Sequence, residues 1–316
     1  MTESSPKEGT RDRYGKTLAM LAQRDRNVVA MDCDLGRSTR SYDIHAVDPQ
    51  RFFEMGIAEQ DMVSTAAGMA TMGKIVFANT FAVFLTSHAF DQIRQQIALP
   101  LSNVKLCGSS AGLTIGADGS THQSIVDLAL MRSLPGMVIL VPGDGNQTEQ
   151  AVIAAYEHKG PVYIRLSRYE TSNFIPVDVP FRMGEAQTLR QGKGVVIASY
   201  GPVLQNVMHA ADLLHRQGIE VGIVNFHTLK PLDRGMVETL ALRYGHIVSV
   251  EEHNVIGALG SALGECIAEF ASPSPKAVLH RIGVQDRFGE SGSADELLAM
   301  HGMDPQGIAN SVLSLI

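Results

Sequence analysis

The sequence predicts an α/β protein that consists of two consecutive domains, each built on a parallel β-sheet. Short runs rich in Val, Ile and Leu alternate with longer segments of helical period, which is typical of βα units. The 316 residues suffice for two domains of roughly 150 residues each. The alternation is interrupted over residues 170–183, where Pro176 and Pro180 lie in a stretch without a clear period. This stretch is predicted to be the linker between the domains.

The first predicted domain spans residues 1–175. Its strands are predicted where a short apolar run lies between turn signals, at 27–31, 51–54, 75–79, 104–108, 137–141 and 162–166. Its helices are predicted where apolar residues recur at helical spacing, at 14–23, 59–72, 87–98, 123–133 and 146–158. The first ten residues are polar and lack an apolar core segment, so they predict a frayed terminus and no signal peptide.

The second predicted domain spans residues 186–316 and repeats the same alternation. Its strands are predicted at 195–200, 220–225, 246–251 and 277–282. Its helices are predicted at 203–216, 233–241, 257–269, 294–300 and 305–315. Because every strand is followed by a helix or a long connection, we expect mainly parallel pairing in both sheets.

Composition excludes several classes of function. The formal net charge is −7, so no basic excess is present to neutralise nucleic-acid phosphates. No apolar run reaches the roughly 18 residues that a membrane span requires. The cysteines are three in number, lie far apart and form no CxxC pair, which argues against a disulfide framework or a structural zinc site. Reduced thiols favour a cytoplasmic protein.

Ligands of open parallel sheets bind beyond the carboxyl ends of the strands, so polar residues at those positions are candidates for a site. Residues 32–38 (Asp-Cys-Asp-Leu-Gly-Arg-Ser) follow the first strand and predict either a polar ligand site that includes Asp34 or a turn with a helix cap. In residues 56–60, Glu59 lies between an apolar run and a helix of small residues. It is either desolvated and suited to proton sharing or a first-turn Glu that faces water.

Two further stretches follow later strands. Phe81 and Phe84 either line a flat pocket for a heteroaromatic ring or belong to the core. Residues 112–123 hold three glycines together with Asp118 and His122, in a long connection after the strand at 104–108. Long connections of this kind are usually functional, and the alternative is a flexible turn with an incidental His.

Taken together, these stretches resemble the pyrimidine-binding domain of the transketolase family. Residues 56–60 resemble its Gly-x-x-Glu signature, and Phe81 and Phe84 match its aromatic cofactor pocket. Residues 118–123 resemble its Asp-Gly-x-Thr-His-Gln loop, which residues 127–132 follow as the next helix. The remaining matches are Thr10-Arg11, Ser38 and residues 166–168 at the family's phosphate contacts, and residues 223–232 and 249–262 in its C-terminal domain.

The resemblance implies a thiamine-diphosphate-dependent transferase that moves a two-carbon ketol unit from a ketose, or its phosphate, to an aldose, or its phosphate. The family's diphosphate- and metal-binding domain is not found before Thr10. The chain therefore resembles the second subunit of a split transketolase. The expected partner is an N-terminal subunit that holds the diphosphate and Mg²⁺, with a dimer of heterodimers as the expected assembly.

The resemblance also implies a role for individual residues. The expected catalytic residues are Glu59 and His122, and Glu59 is also expected to contact the cofactor. The other residues expected at the cofactor are Phe81, Phe84 and Asp34, and those expected at the substrate are Arg11, Ser38, Asp118, His122, Arg168 and Ser110. The sequence departs from the family where Ser110 replaces a His found in many transketolases, which leaves the acceptor sugar open.

Other interpretations remain. The chain is alternatively the β subunit of a 2-oxo acid dehydrogenase, part of a deoxyxylulose phosphate synthase, or a non-catalytic scaffold. A nicotinamide dehydrogenase is disfavoured because no GxGxxG follows the first strand. The stretch Gly143-Asp144-Gly145, with Asn173 downstream, predicts either a magnesium site or a helix cap, and we expect the cap and no metal ligands in this chain.

Overall fold

The computed structural model describes residues 7–272, 274 and 276–316. The first six residues of the predicted polar terminus lie outside this range. The strands are β1 Glu8–Gly9, β2 Val28–Asp32, β3 Phe52–Glu54, β4 Ile75–Phe81, β5 Val104–Ser109, β6 Val138–Leu140, β7 Val162–Arg165, β8 Glu170–Thr171, β9 Gln187–Arg190, β10 Val195–Ser199, β11 Gly222–Asn225, β12 Thr228–Lys230, β13 His246–Asn254 and β14 Val278–Val284.

The helices alternate with these strands as the sequence predicts. They are α1 Thr10–Arg24, α2 Gly36–Thr39, α3 Glu59–Thr71, α4 Phe90–Gln92, α5 Asp127–Ser133, α6 Gly145–Glu157, α7 Leu204–His215, α8 Arg234–Arg243, α9 Leu259–Glu269, α10 Ala294–Met300 and α11 Pro305–Leu313. The turns on either side of α4, Phe84–His88 and Ile93–Ala98, are π-helical. Within the described parts of the chain, no helix combines the length and the apolar character needed to cross a membrane.

Two large sheets confirm the predicted α/β class. The first has the order β12-β6-β7-β5-β4-β2-β3 and the second has the order β14-β13-β10-β11-β9. All pairs are parallel except the edge pairs β12–β6 and β11–β9. Strands β2 and β10 are buried along their whole length, since helices cover both faces of a parallel sheet.

Strand β12 was not predicted, and it connects the two halves of the chain. It follows β11 of the second sheet, yet it pairs antiparallel with β6 of the first, with Thr228 opposite Leu140. The N–H of Val141 extends the pairing by donating to the carbonyl of His227 at 2.8 Å. A strand of three residues is too short to show the alternation of apolar and polar residues that predicts a strand. Only the tertiary structure therefore reveals it.

The predicted linker at 170–183 begins with a short strand. Its first two residues form β8, which pairs antiparallel with β1, so that Glu8 lies opposite Thr171. Residues 172–186 have no regular secondary structure. A two-residue ladder depends on chain segments that are distant in sequence, and local composition therefore does not reveal it.

A buried ion pair in the first domain holds an arginine that reaches the second sheet. Arg165 Nε donates to Asp127 Oδ2 at 2.8 Å, and the side chains of Arg165 and Asp127 are only 4% and 0% exposed. Tyr163 donates its hydroxyl to the same carboxylate at 2.7 Å. Arg165 Nη2 also donates to the carbonyl of Glu252 in β13, at 2.9 Å. The carboxylate thus orients a guanidinium that reaches from β7 into the second domain.

Glu251 in β13 is a second buried carboxylate. It accepts hydrogen bonds from the N–H groups of Leu259 and Gly260 at 2.8 and 2.9 Å, and from the Tyr200 hydroxyl at 3.2 Å. Burial raises its pKa from 4.5 to about 7, although these bonds and Arg165 act in the opposite direction. A raised folded-state pKa contributes stability that is complete below the unfolded value and is lost as the pH rises to the folded value.

We expect the stability of the wild type, relative to Glu251→Gln, to decrease as the pH rises from 4.5 to about 7. The decrease amounts to at most about 3 kcal/mol, because each pKa unit corresponds to about 1.4 kcal/mol. Above this window the difference levels off. Urea denaturation followed by circular dichroism at several pH values measures it, and the exposed Glu157→Gln serves as control. A difference that does not change with pH contradicts the assignment.

Candidate active site

The expected site residues follow strands that end at one edge of the first sheet. Asp34 comes two residues after β2, Phe81 ends β4, and Ser110 directly follows β5. Phe81 is the ladder partner of Ser109, and β2 and β4 are also neighbours. Because parallel strands present their carboxyl ends at the same edge, these residues and the connections after them lie together.

Glu59 is the first residue of α3, and it is buried, with 4% of its surface exposed. The turn before it needs Gly56, whose φ of +68° is the left-handed conformation that glycine adopts without strain. Thr80 Oγ1 lies 3.5 Å from Glu59 Oε1 and donates to it. The alternative that Glu59 faces water is therefore wrong, because only 4% of its surface is exposed.

The turn after β2 is organised by Asp32. This carboxylate accepts from the N–H of Leu35 at 2.8 Å and from the hydroxyls of Thr39 and Ser41 at 2.6 and 2.7 Å. Burial raises the pKa of Asp32 to about 6 against the effect of these bonds. Asp34, by contrast, is exposed and has a φ of +61°. Asp32 thus has a structural role, while Asp34 remains available to a ligand.

Glu54 connects that turn with the turn before Glu59. Its Oε1 atom accepts from the N–H groups of Asp34 at 2.7 Å and of Gly56 at 3.1 Å. One carboxylate oxygen at the end of β3 therefore fixes the backbone at two expected site segments. The sequence gives no indication of this bridge, because it joins residues 20 apart.

The aromatic residues form a cluster with His122. The rings of Phe81 and Phe84 are nearly parallel, at 17°, with centroids 6.2 Å apart. The His122 ring meets both edge-on, at 6.3 Å from Phe81 and 5.3 Å from Phe84. Phe81 is buried and Phe84 is half-buried. His122 Nδ1 lies 2.9 Å from Thr121 Oγ1, which orients the ring.

A cavity of about 400 Å³ opens beside this cluster. It is lined by residues that come from four separate connections: Cys33, Asp34, Leu35, Ile57, Glu59, Phe84, His88 and His122. The structure thus brings together Glu59, Phe84, His122 and Asp34, as expected. Phe81 packs behind Phe84 and is not among the lining residues.

The four residues expected to bind phosphate or sugar hydroxyls form two pairs. Arg11 Nη1 donates to the carbonyl and to the hydroxyl of Ser38, at 3.0 and 3.3 Å. Arg168 forms an ion pair with Asp118 at 3.2 Å. Burial lowers the pKa of Arg11, and the neighbouring guanidinium of Arg168 acts in the same direction. The N–H of Arg11 donates to the carbonyl of Ser167 at 3.2 Å, so Arg11 and Arg168 lie near each other. Arg11 Nε is buried and has no hydrogen-bond partner among the described residues.

Ser110 lies at the same edge but is not among the cavity-lining residues. It is buried, and its φ is +52°. Among the residues that the structure describes, its Oγ atom has no hydrogen-bond partner. A buried hydroxyl without a partner is uncommon in a folded protein, and this favours a contact between Ser110 and a ligand. That contact stays a prediction.

Sequence reasoning assigned no role to Cys33, Leu35 and Ile57, although all three line the cavity. Ile57 is 83% exposed, which is unusual for a large apolar side chain. Its position inside the Gly-x-x-Glu stretch was the feature of the sequence that could have placed Ile57 at the site. Burial raises the pKa of the Cys33 thiol to about 12, so it stays protonated and serves as an apolar wall.

The stretch around Asp144 is a helix cap. Asp144 accepts from the N–H of Gln147 at 2.9 Å, at the start of α6, and from that of Ile175 at 2.6 Å. Asn173 bonds to Asn146 and Glu8. Within the described ranges, no three His, Cys, Asp or Glu residues cluster closely enough to hold a metal ion.

The fold and the site together define a class. A buried carboxylate and an aromatic ring that line the same cavity of about 400 Å³ are suited to the aminopyrimidine of thiamine diphosphate. Residues 7–172 match the family described as Transketolase, pyrimidine binding domain, and residues 184–308 match Transketolase, C-terminal domain. The chain belongs to the transketolase family. It is a subunit of a thiamine-diphosphate-dependent transketolase.

Three relatives show the extent of this similarity. A putative transketolase C-terminal section from Methanocaldococcus jannaschii is 39% identical over 97% of this chain and 96% of its own length. A solved structure described as a split gene transketolase, inactive beta4 tetramer, has a TM-score of 0.87 at 40% identity and 98% coverage of both chains. Human transketolase is 37% identical over 98% of this chain, which spans 49% of the human protein.

Proposed function

We propose that this chain, together with a second subunit, transfers a two-carbon ketol unit from a ketose phosphate to an aldose phosphate. The observation that carries the proposal is the burial of Glu59 in a cavity shared with Phe84 and His122. The cations Arg11 and Arg168 lie near each other, and their guanidinium groups suit a sugar phosphate.

The residues present fit thiamine diphosphate. A cavity of about 400 Å³ accommodates an aromatic ring, and the aromatic cluster provides a flat wall. When bound, the cofactor supplies the nucleophilic carbon that breaks and forms the carbon–carbon bond. This chain's contribution is to orient and polarise the ring. Glu59 hydrogen-bonds to a ring nitrogen and holds a proton there, while Phe81 and Phe84 exclude water.

His122 and Asp118 act on the sugar. His122 lines the cavity, where it moves a proton to or from a substrate oxygen. Asp118 accepts a hydrogen bond from a substrate hydroxyl, since it is exposed beside Arg168. Ser38 and the two arginines bind the terminal phosphate, and the free Arg11 Nε supports a further contact.

The partner is proposed to be an N-terminal transketolase subunit that holds the cofactor diphosphate and Mg²⁺, in a dimer of heterodimers. The likeness to a protein described as a transketolase C-terminal section supports a separate N-terminal subunit, and the cavity in this chain is large enough for the cofactor ring. The three buried free cysteines support a reducing, cytoplasmic location.

The decisive assay is reconstitution. The chain is mixed with a transketolase N-terminal subunit, thiamine diphosphate and Mg²⁺, and is given either a ketose phosphate with an aldose phosphate or pyruvate with an oxidant. Ketol transfer supports the proposal. Turnover of pyruvate alone contradicts it and points to a 2-oxo acid dehydrogenase subunit. The absence of any cofactor-dependent stabilisation of the pair identifies a scaffold instead.

Arg168→Met is expected to raise the KM of a ketose phosphate by about 10–100-fold, because a charged hydrogen bond contributes about 1.5–3 kcal/mol. The KM of the same ketose without phosphate is expected to change little. Steady-state kinetics of the reconstituted pair measure both. Arg190→Met is the matched control, since Arg190 is also partly exposed and paired with an Asp, but lies in the second domain. Equal effects on both substrates contradict phosphate binding by Arg168.

A further inference from the structure

The loop that carries Asp118 and His122 is bound by a carboxylate from the second domain. Glu252 in β13 accepts the N–H of Thr114 at 2.6 Å. Gly112 has a φ of +82° and packs directly against the same carboxylate, where a Cβ atom would collide with Glu252 Oε1. Glu252 is 2% exposed, so water does not compete for this contact. The beginning of the loop therefore depends on a residue outside the first domain.

Thr114 connects Glu252 with the two segments that carry Arg168 and Arg11. Its hydroxyl lies 3.2 Å from the hydroxyl of Ser167. The N–H of Ser167 donates to Thr10 Oγ1 at 2.8 Å, and the Thr10 hydroxyl lies 3.2 Å from the Ser167 carbonyl. Ser167 precedes Arg168, and Thr10 precedes Arg11. All members of this chain of contacts are buried.

Other contacts of the second domain support the far side of the same loop. Gln123 Nε2 donates to the carbonyl of Glu290 at 2.9 Å. Gly119 packs against Ser291, and Gly116 lies against the carbonyl of Gly292. The loop is thus held at both ends by residues of the second domain, while Asp118 between them remains exposed.

We propose that Glu252 is a positioning residue for the substrate site. Its carboxylate fixes Thr114, and through Ser167 and Thr10 it sets the relative positions of Asp118, Arg168 and Arg11. The second domain therefore contributes to sugar-phosphate binding without touching the sugar. This inference rests on the proposed function, since it assigns these three residues to the substrate.

Glu251 provides the contrast to a purely structural role. It is equally buried and adjacent in the same strand, but neighbouring strand residues point to opposite faces. Glu251 bonds to the start of α9 and to Tyr200, and none of its hydrogen bonds reaches the loop. The Glu251 carboxylate therefore supports the second domain, whereas the Glu252 carboxylate holds the substrate loop.

The test compares Glu252→Ala, Glu252→Asp and Glu252→Gln with Glu251→Ala. Amide hydrogen exchange of residues 112–123 is measured in the isolated chain. KM and kcat are measured for the full pair with thiamine diphosphate and Mg²⁺. We expect Glu252→Ala and the shortened Glu252→Asp to accelerate exchange in this loop about 10-fold or more. We expect both variants to raise the KM of the sugar phosphate about 10-fold, with kcat less affected.

Glu252→Gln keeps an acceptor oxygen in place and is expected to remain within about 3-fold of the wild type in both measurements. Glu251→Ala is expected to lower stability without selective exchange in the loop. The inference is overturned if exchange is unchanged in Glu252→Asp, if Glu251→Ala accelerates the loop equally, or if the loop loosens while KM stays constant. If the wild-type pair transfers no ketol unit, the proposed function fails, and the exchange data still decide whether Glu252 holds the loop.

Discussion

Glu59→Gln is expected to lower kcat of the reconstituted pair by about 10²–10⁴-fold, the usual contribution of a group that transfers a proton in the transition state. The amide has nearly the shape of the carboxylate but cannot hold or release that proton. The only described side-chain partner of Glu59 is the Thr80 hydroxyl at 3.5 Å, and the amide oxygen of Gln can still accept that hydrogen bond. The fold should therefore tolerate the change. Glu59→Ala is expected to have an effect at least as large.

Turnover is measured with saturating thiamine diphosphate, and circular dichroism checks the fold. Asp61→Asn is the matched control, because Asp61 lies in the same first turn of α3 but is exposed. It is expected to retain nearly full activity. If Glu59→Gln turns over at close to the wild-type rate, Glu59 is not the proton-transferring acid. Equal losses in both variants would instead indicate damage to the helix.

The largest loss of stability is expected from Arg165→Met, at about 3–5 kcal/mol, because removal of one partner leaves the other charge buried and uncompensated. Burial alone raises the pKa of Asp127, but Arg165 beside it holds that pKa below its ordinary value. Without the guanidinium, Asp127 must take up a proton or remain as an isolated charge. The variant also loses the hydrogen bond to the carbonyl of Glu252, which weakens the contact between the domains.

Urea denaturation followed by circular dichroism measures the change. Arg182→Met is the control, because its ion pair with Glu185 is exposed on both sides and such pairs contribute little. The double variant Asp127→Asn with Arg165→Met is expected to recover part of the loss, since it removes the uncompensated charge. A single variant as stable as the wild type shows that the pair does not hold the domains together.

Much of the site was readable because its residues lie in short local motifs. The Gly-x-x-Glu stretch sets both the positive φ of Gly56 and the start of α3 at Glu59. Phe81 ends β4 and Phe84 begins the π-helical turn three residues later, so the two rings are neighbours. Strand–helix alternation likewise gave the parallel sheets, because its period is a property of the local chain.

The sequence by itself determined the α/β class and the order of the main elements, since apolar period and turn residues can be recognised within about 15 residues of one another. It also indicated the family, because each of the family's motifs is a short local stretch. Only the tertiary structure decided that β12 completes the first sheet, that Arg168 faces Asp118, and that Glu252 binds the substrate loop. Each of these contacts joins segments at least 50 residues apart. Such contacts arise from the burial of whole surfaces against one another, and no local pattern encodes them.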